Sequence, residues 1–264
     1  MPTDPLSLFL IVVSLVILGL AKGGFAGVGV IATPLMAMVF PPVEAAAILL
    51  PLLIVQDAVS VWLFRHSWNA RIVGWMMPGA IVGIAAAALF SAAVPVQVIL
   101  ALLGGISILF GLWQLWIAYH RLSSKPLSSH EWPGLIFGAI SGFTSQIAHA
   151  GAPPYQIWVV PKNLPHMEFV GTTAILFAMM NWAKVPAFIA LGEFTRDTLL
   201  ISAIFLPVAT LSTFAGSWLV RRVRGRGFYL FVNAMLVLIG AKLVGCAGLT
   251  RQGAEMARGR RMPS

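Results

Sequence analysis

Apolar residues run along this chain in blocks of membrane-helix length, and polar residues fall between the blocks or at a few points inside them. The blocks cover residues 6–21, 45–64, 72–90, 98–119, 133–147, 169–191, 199–220 and 228–244. Each predicts a helix across a bilayer, because lipid leaves no backbone amide a partner outside its own segment. Polar turns separate them at 65–71, 192–197 and the arginine-rich 221–226, and the longest hydrophilic stretch is 120–131. The expected fold is all-α, a polytopic membrane protein of about eight transmembrane helices in two repeated halves. We place the first membrane repeat at 6–120, a hydrophilic linker at 121–132, the second repeat at 133–247 and a basic, disordered tail at 248–264.

Each half opens with a segment broken by glycine or proline. Residues 23–34 read GGFAGVGVIATP, and residues 142–165 read GFTSQIAHAGAPPYQIWVVPKNLP. Pro153 and Pro154 remove two backbone donors and disfavour helix at the residue before them. Ala148, Ala150, Gly151 and Ala152 let other backbone approach closely. Broken backbone at membrane depth must be buried in protein or line a watery cavity. Two such breaks in corresponding positions point to a transporter binding site. The halves also match downstream: residues 45–61 align with 169–185, setting Asp57 against Asn181 and Ser60 against Lys184.

The 264 residues are 59% hydrophobic and 9% charged, whereas a soluble domain carries about 25% charge. The formal net charge is +9. Its basic residues cluster at helix ends, where the positive-inside rule and anionic lipid place them, so no nucleic-acid partner is expected. The expected partners are the lipid bilayer and a small anionic substrate, in a multi-pass protein of the cell (inner or plasma) membrane; a homo-oligomer is compatible with this composition. The basic turns share one face only if each half crosses an odd number of times, which makes an inverted repeat and leaves the basic tail opposite. Four simple crossings per half reverse the last two placements. Charges close to a span weigh more than a distal tail, which favours the inverted repeat. The single cysteine, Cys246, excludes an internal disulfide and is expected to fill a helix face.

Four ionisable residues fall at membrane depth: Lys22, Asp57, His149 and Lys184. A charge at bilayer centre costs at least about 2.5–3.5 kcal/mol, so its default is an inward-facing functional site. Lys184, one turn from Asn181, is the leading anion contact, and the alternative is a structural pair with Asp57. Asp57 is a proton-coupling carboxylate or a salt-bridge partner. Lys22, beside Gly24, contacts the anion or snorkels to the interface. His149 contacts substrate or proton, or makes a structural hydrogen bond. Thr144, Ser145, Gln146, Thr172 and Thr173 are donors for an oxyanion if they converge, and interhelical hydrogen bonds if they do not. Trp182, beside Asn181 and Lys184, is expected to line the cavity. His66, His120, His130 and His166 have no metal spacing, so neither metal nor cofactor is expected. No G-x-S-x-G, H-E-x-x-H or phosphate-loop motif occurs, and Ser145 with His149 at i, i+4 is the one arrangement an enzyme would use. The expected protein is therefore not an enzyme and draws any energy input from an ion gradient or a separate subunit.

The break ending in Pro34, the helix from Pro42, and the second-half HAGAPP (149–154) and GTTAILF (171–177) resemble the sulfite exporter TauE/SafE family of membrane permeases, over residues 8–246. The resemblance implies a multi-pass permease for a small sulfur oxyanion or organosulfonate, such as sulfite or sulfoacetate. One departure is the second break, SQIAHAGAPP, which has a histidine and fewer glycines than the family pattern. A carrier of carboxylates or other small anions and a non-transporting membrane scaffold are the alternatives.

Overall fold

The first seven apolar blocks form helices with ends shifted by up to three residues, and of the eighth a helix over Leu236–Gly245 is described. A computed structural model describes residues 4–22, 28–120, 130–220, 234 and 236–245. Its helices are α1 (Pro5–Lys22), α2 (Ala32–Met36), α3 (Pro42–Phe64), α4 (Ala70–Ala93), α5 (Val96–His120), α6 (Pro133–Ala148), α7 (Ala152–Val159), α8 (His166–Ala190), α9 (Arg196–Val220) and α10 (Leu236–Gly245). Six of them, α1, α3, α4, α5, α8 and α9, are long and apolar enough to cross a membrane. No strand occurs among the described residues. The chain is an all-α polytopic membrane protein. Gly24, the turn at 221–226, Cys246, the linker residues 121–129 and the basic tail lie outside the described residues.

Helix ends follow local chemistry. Pro42 and Pro133 stand in first turns, where a missing N–H costs nothing. The Asn69 carboxamide oxygen accepts from the Ile72 N–H at 3.1 Å and caps α4. Pro153 and Pro154, expected to break a helix, instead lie in the first turn of α7. The break falls earlier, at His149, whose φ of 50° and ψ of 26° put it in the left-handed region. There the His149 N–H reaches the Ser145 carbonyl at 3.0 Å and the Ala150 N–H reaches Thr144 at 3.3 Å, closing the end of α6.

The chain then doubles back. Trp158 of α7 covers Gly134 at the start of α6, and the Lys162 ammonium pairs with Glu131 at 2.8 Å. α6 and α7 are thus a re-entrant hairpin that returns to the end it came from. The first half does the same: the Ser14 hydroxyl donates to the Ala32 carbonyl at 2.8 Å, and Gly29 lies against Ala21.

Glycines decide what houses each hairpin. A Cβ on Gly138 or Gly142 of α6 would lie 2.1 Å from a carbonyl oxygen of Met76 or Ala80 in α4. One on Gly79 or Gly83 would lie 2.0 or 1.9 Å from those of Leu135 or Ala139. The two helices run parallel, backbone against backbone, as small-xxx-small patterns permit. α1 runs parallel to α9 through Gly19, Gly216 and Ser212. Each hairpin is therefore held by a long helix of the other half, and the two enter from opposite ends. α3 and α8 pack together between them.

Candidate functional site

The hairpin tips meet against α3 and α8, and each helix supplies the tip with a donor. The Ser60 hydroxyl of α3 donates to the Lys22 carbonyl at 3.0 Å. The Lys184 ammonium of α8 donates to the Ser145 carbonyl at 3.3 Å. Ser60 and Lys184 occupy equivalent positions in the repeat, and both donate to a carbonyl in the last turn of a re-entrant helix; the Ser145 carbonyl accepts the His149 N–H as well. A cation there also meets the negative end of the helix dipole.

Lys184 is fully buried and its three N–H groups are all engaged. Besides the Ser145 carbonyl they reach the Ser145 hydroxyl at 3.2 Å and His149 Nδ1 at 2.7 Å. His149 Nε2 lies 3.0 Å from the Ala46 carbonyl. A carbonyl only accepts, so Nε2 carries the hydrogen and Nδ1 is the bare acceptor for Lys184. His149 is thus neutral and ties the α6 tip to α3. Neither ring nitrogen is left to serve Ser145 as a base, so the i, i+4 pair is not a nucleophile–base dyad.

Asp57, also buried, takes the Lys22 ammonium on one oxygen and the Asn181 amide on the other. The sequence left Lys184 as the structural partner of Asp57; Lys22 holds that place. Lys22 does not snorkel, since its stem points inward and its ammonium lies 5.6 Å from the Phe177 ring centre. No carboxylate pairs with Lys184 among the described residues.

Between the tips lies a partly open cavity of about 710 Å³, mouth included. Its polar lining is Lys22, Ser145, His149, Thr173 and Asn181, with Phe177 beside them. Apolar Leu18, Leu53 and Val170 complete the walls. Val170 packs on Phe64, so the cavity extends toward the end of the molecule where α3 finishes. Asp57 and Lys184 sit just behind the wall, each masked by the residues it bonds.

Several expected residues lie elsewhere. Thr144 bonds back to the Ile140 carbonyl of its own helix at 2.9 Å. Thr172 donates to the Glu168 carbonyl at 2.6 Å and accepts the Asn69 N–H, fastening α8 to the start of α4. Gln146 lines a separate space of about 240 Å³ beyond His149, with Ala46 and Phe188. A helix tip presents one face to a cavity, and Ser145 occupies that face while its neighbours do not. Trp182 is 63% exposed on the outer surface, because it stands on the opposite side of α8 from Lys184. Phe177 was missed in the sequence. Its signal was the spacing of Val170, Thr173, Phe177, Asn181 and Lys184, steps of three and four that make one helix face.

Two broken-helix hairpins entering from opposite ends and meeting at a polar cavity define a class, the membrane transporters built on inverted repeats. Within it, the chain belongs to the Sulfite exporter TauE/SafE family, whose sequence model matches residues 10–243. That is a family of membrane transporters for sulfur compounds such as sulfite. No curated protein and no solved structure matches the chain.

Proposed function

We propose that this protein is a secondary carrier that moves a small sulfur oxyanion or organosulfonate, such as sulfite, across the cell (inner or plasma) membrane in exchange for work from an ion gradient. One observation supports it above others: the cavity between the tips is flanked by two lysines and a single carboxylate. A buried positive excess is costly in a membrane, and a bound anion relieves it.

Lys22 contacts the anion directly, because it lines the cavity and among the described residues its ammonium donates to Asp57 alone. Ser145, Thr173 and Asn181 orient the oxyanion, and Lys184 contributes charge from behind Ser145 and His149. Asp57 is the coupling carboxylate, the only acidic side chain at the cavity among the described residues. His149 keeps the two spaces apart: it stacks on Phe188 with centroids 6.5 Å apart, and opening it would join the cavity to the space around Gln146. The basic residues that follow α3 and α9 in the sequence support a cavity mouth on the cytoplasmic side.

The test is uptake of sulfite, thiosulfate, sulfoacetate, an aryl sulfonate and an aliphatic carboxylate into proteoliposomes, with and without a pH gradient. Saturable, gradient-dependent uptake of a sulfur oxyanion is expected. Uptake of the carboxylate alone would move the substrate class, and no uptake by folded protein would remove the carrier function.

A further inference from the structure

We infer that Asp57 sets the charge of the cargo: the cavity accepts one net negative charge, so it takes a monoanion, or a dianion only together with a proton on Asp57. This rests on the carrier function proposed above and specifies its substrate class.

The charged groups around the cavity can be taken element by element. α1 contributes Lys22, α3 contributes Asp57 and α8 contributes Lys184. α6 contributes His149, held neutral by the Ala46 carbonyl and the Lys184 ammonium. α7 contributes the Tyr155 hydroxyl, 2.8 Å from that of Thr173. α9 has no ionisable side chain between Asp197 and the end of the helix, and residues 23–27 are Gly-Gly-Phe-Ala-Gly. Among the described residues two lysines therefore face one carboxylate, which with both lysines protonated leaves a single positive charge unbalanced.

Asp57 does this from behind the cavity wall. Both its oxygens are occupied, one by Lys22 and one by Asn181, so it positions those side chains as well as halving the local positive charge. A monoanion beside Lys22 balances the cluster. A dianion leaves it net negative and faces the Asp57 carboxylate across Lys22 and Asn181, in surroundings where unit charges interact far more strongly than in water. A protonated Asp57 has the charge and shape of asparagine, which converts the same site to one for a dianion. Cargo and proton would then cross as a unit of constant charge.

The experiment compares the wild-type chain, Asp57→Asn, and Lys22→Gln with Asp57→Asn in proteoliposomes at about pH 8, where an ordinary carboxylate is ionised. The probes are two similar-sized pairs: methanesulfonate with sulfate, and isethionate with sulfoacetate. Wild type is expected to move the monoanion of a pair at least about tenfold faster than the dianion, and Asp57→Asn to reverse that preference. The double variant restores one unbalanced charge and with it the monoanion preference. If Asp57→Asn does not fold, the double variant decides, and a dianion preference there overturns the inference. Equal flux of both anions through wild type, or an unchanged preference in folded Asp57→Asn, overturns the role of Asp57 and leaves the carrier standing. Flux of none of the four through folded wild type overturns the carrier function, and this inference with it.

Discussion

At the scale of single residues, Lys184 does two jobs with one ammonium: it closes the end of α6 and holds charge behind the cavity wall. Lys184→Met leaves His149 Nδ1 without a donor, at about 1–3 kcal/mol for a buried group left unsatisfied. The expected result is loss of anion flux by at least about tenfold with the protein still monodisperse in detergent. Retained flux would take Lys184 out of the site. At the far end of α8 a different acid matters. Partial burial, reinforced by Glu44, raises the Glu193 carboxyl above the usual carboxylate range. A raised acid binds its proton more tightly in the folded state, so its effect favours folding at low pH and is lost as pH rises through the folded value. Glu193→Gln should therefore raise the thermal midpoint relative to wild type at neutral pH, and the difference should vanish in acid. A melt series across pH checks this.

At the scale of elements, the informative feature is where each helix stops. α6 ends because His149 adopts a left-handed conformation, which costs a non-glycine residue about 1–2 kcal/mol. His149→Gly should keep the turn while removing the ring and its two hydrogen bonds, whereas His149→Val should strain the turn as well. The valine variant is expected to melt below the glycine variant, and both should lose gated transport. Pro153→Ala with Pro154→Ala should change turnover little, since the prolines only open α7; a strong defect would move the break back to them. The α4–α6 contact is the other element-level constraint. Gly142→Leu puts a side chain where the Ala80 carbonyl stands, and over-packing of this kind costs about 1–3 kcal/mol even in soluble cores. Its melting point should fall well below that of Gly105→Leu, because a Cβ at Gly105 meets nothing within 4 Å.

At the scale of the whole molecule, two halves of opposite polarity exchange their hairpins. Each hairpin packs along a helix of the other half while its tip is bonded to a helix of its own half, so tilting one half against the other moves both tips at once, the geometry alternating access needs. Sidedness follows from the same polarity. In a chain with Cys246→Ser, single cysteines replacing His66 and Glu193 should react with an impermeant thiol reagent from opposite faces of the membrane. Lys162→Cys should report the same face as His66→Cys, because the α6–α7 hairpin returns to its starting end. Labelling of positions 66 and 193 from one face would rule out the inverted arrangement.

The sequence by itself determined the long helices, the membrane class, the repeat and the four ionisable residues at membrane depth. Those features follow from local hydrophobicity and from the energy of placing charge in lipid, both readable one segment at a time. It also gave the equivalence of Ser60 and Lys184, without showing that both donate to a hairpin tip. The tertiary structure alone decided who pairs with whom. Lys22 rather than Lys184 took Asp57, since hairpin folding brings the end of α1 back against α3. Ser145 reached the cavity while Thr144, Gln146 and Thr172 did not, because a residue's rotation about its helix is set by the packing of α6 on α4 and of α8 on α3. The break moved from the prolines to His149 for a related reason: a proline fits the first turn of a helix as well as it ends one, and only the returning course of α7 distinguishes the two.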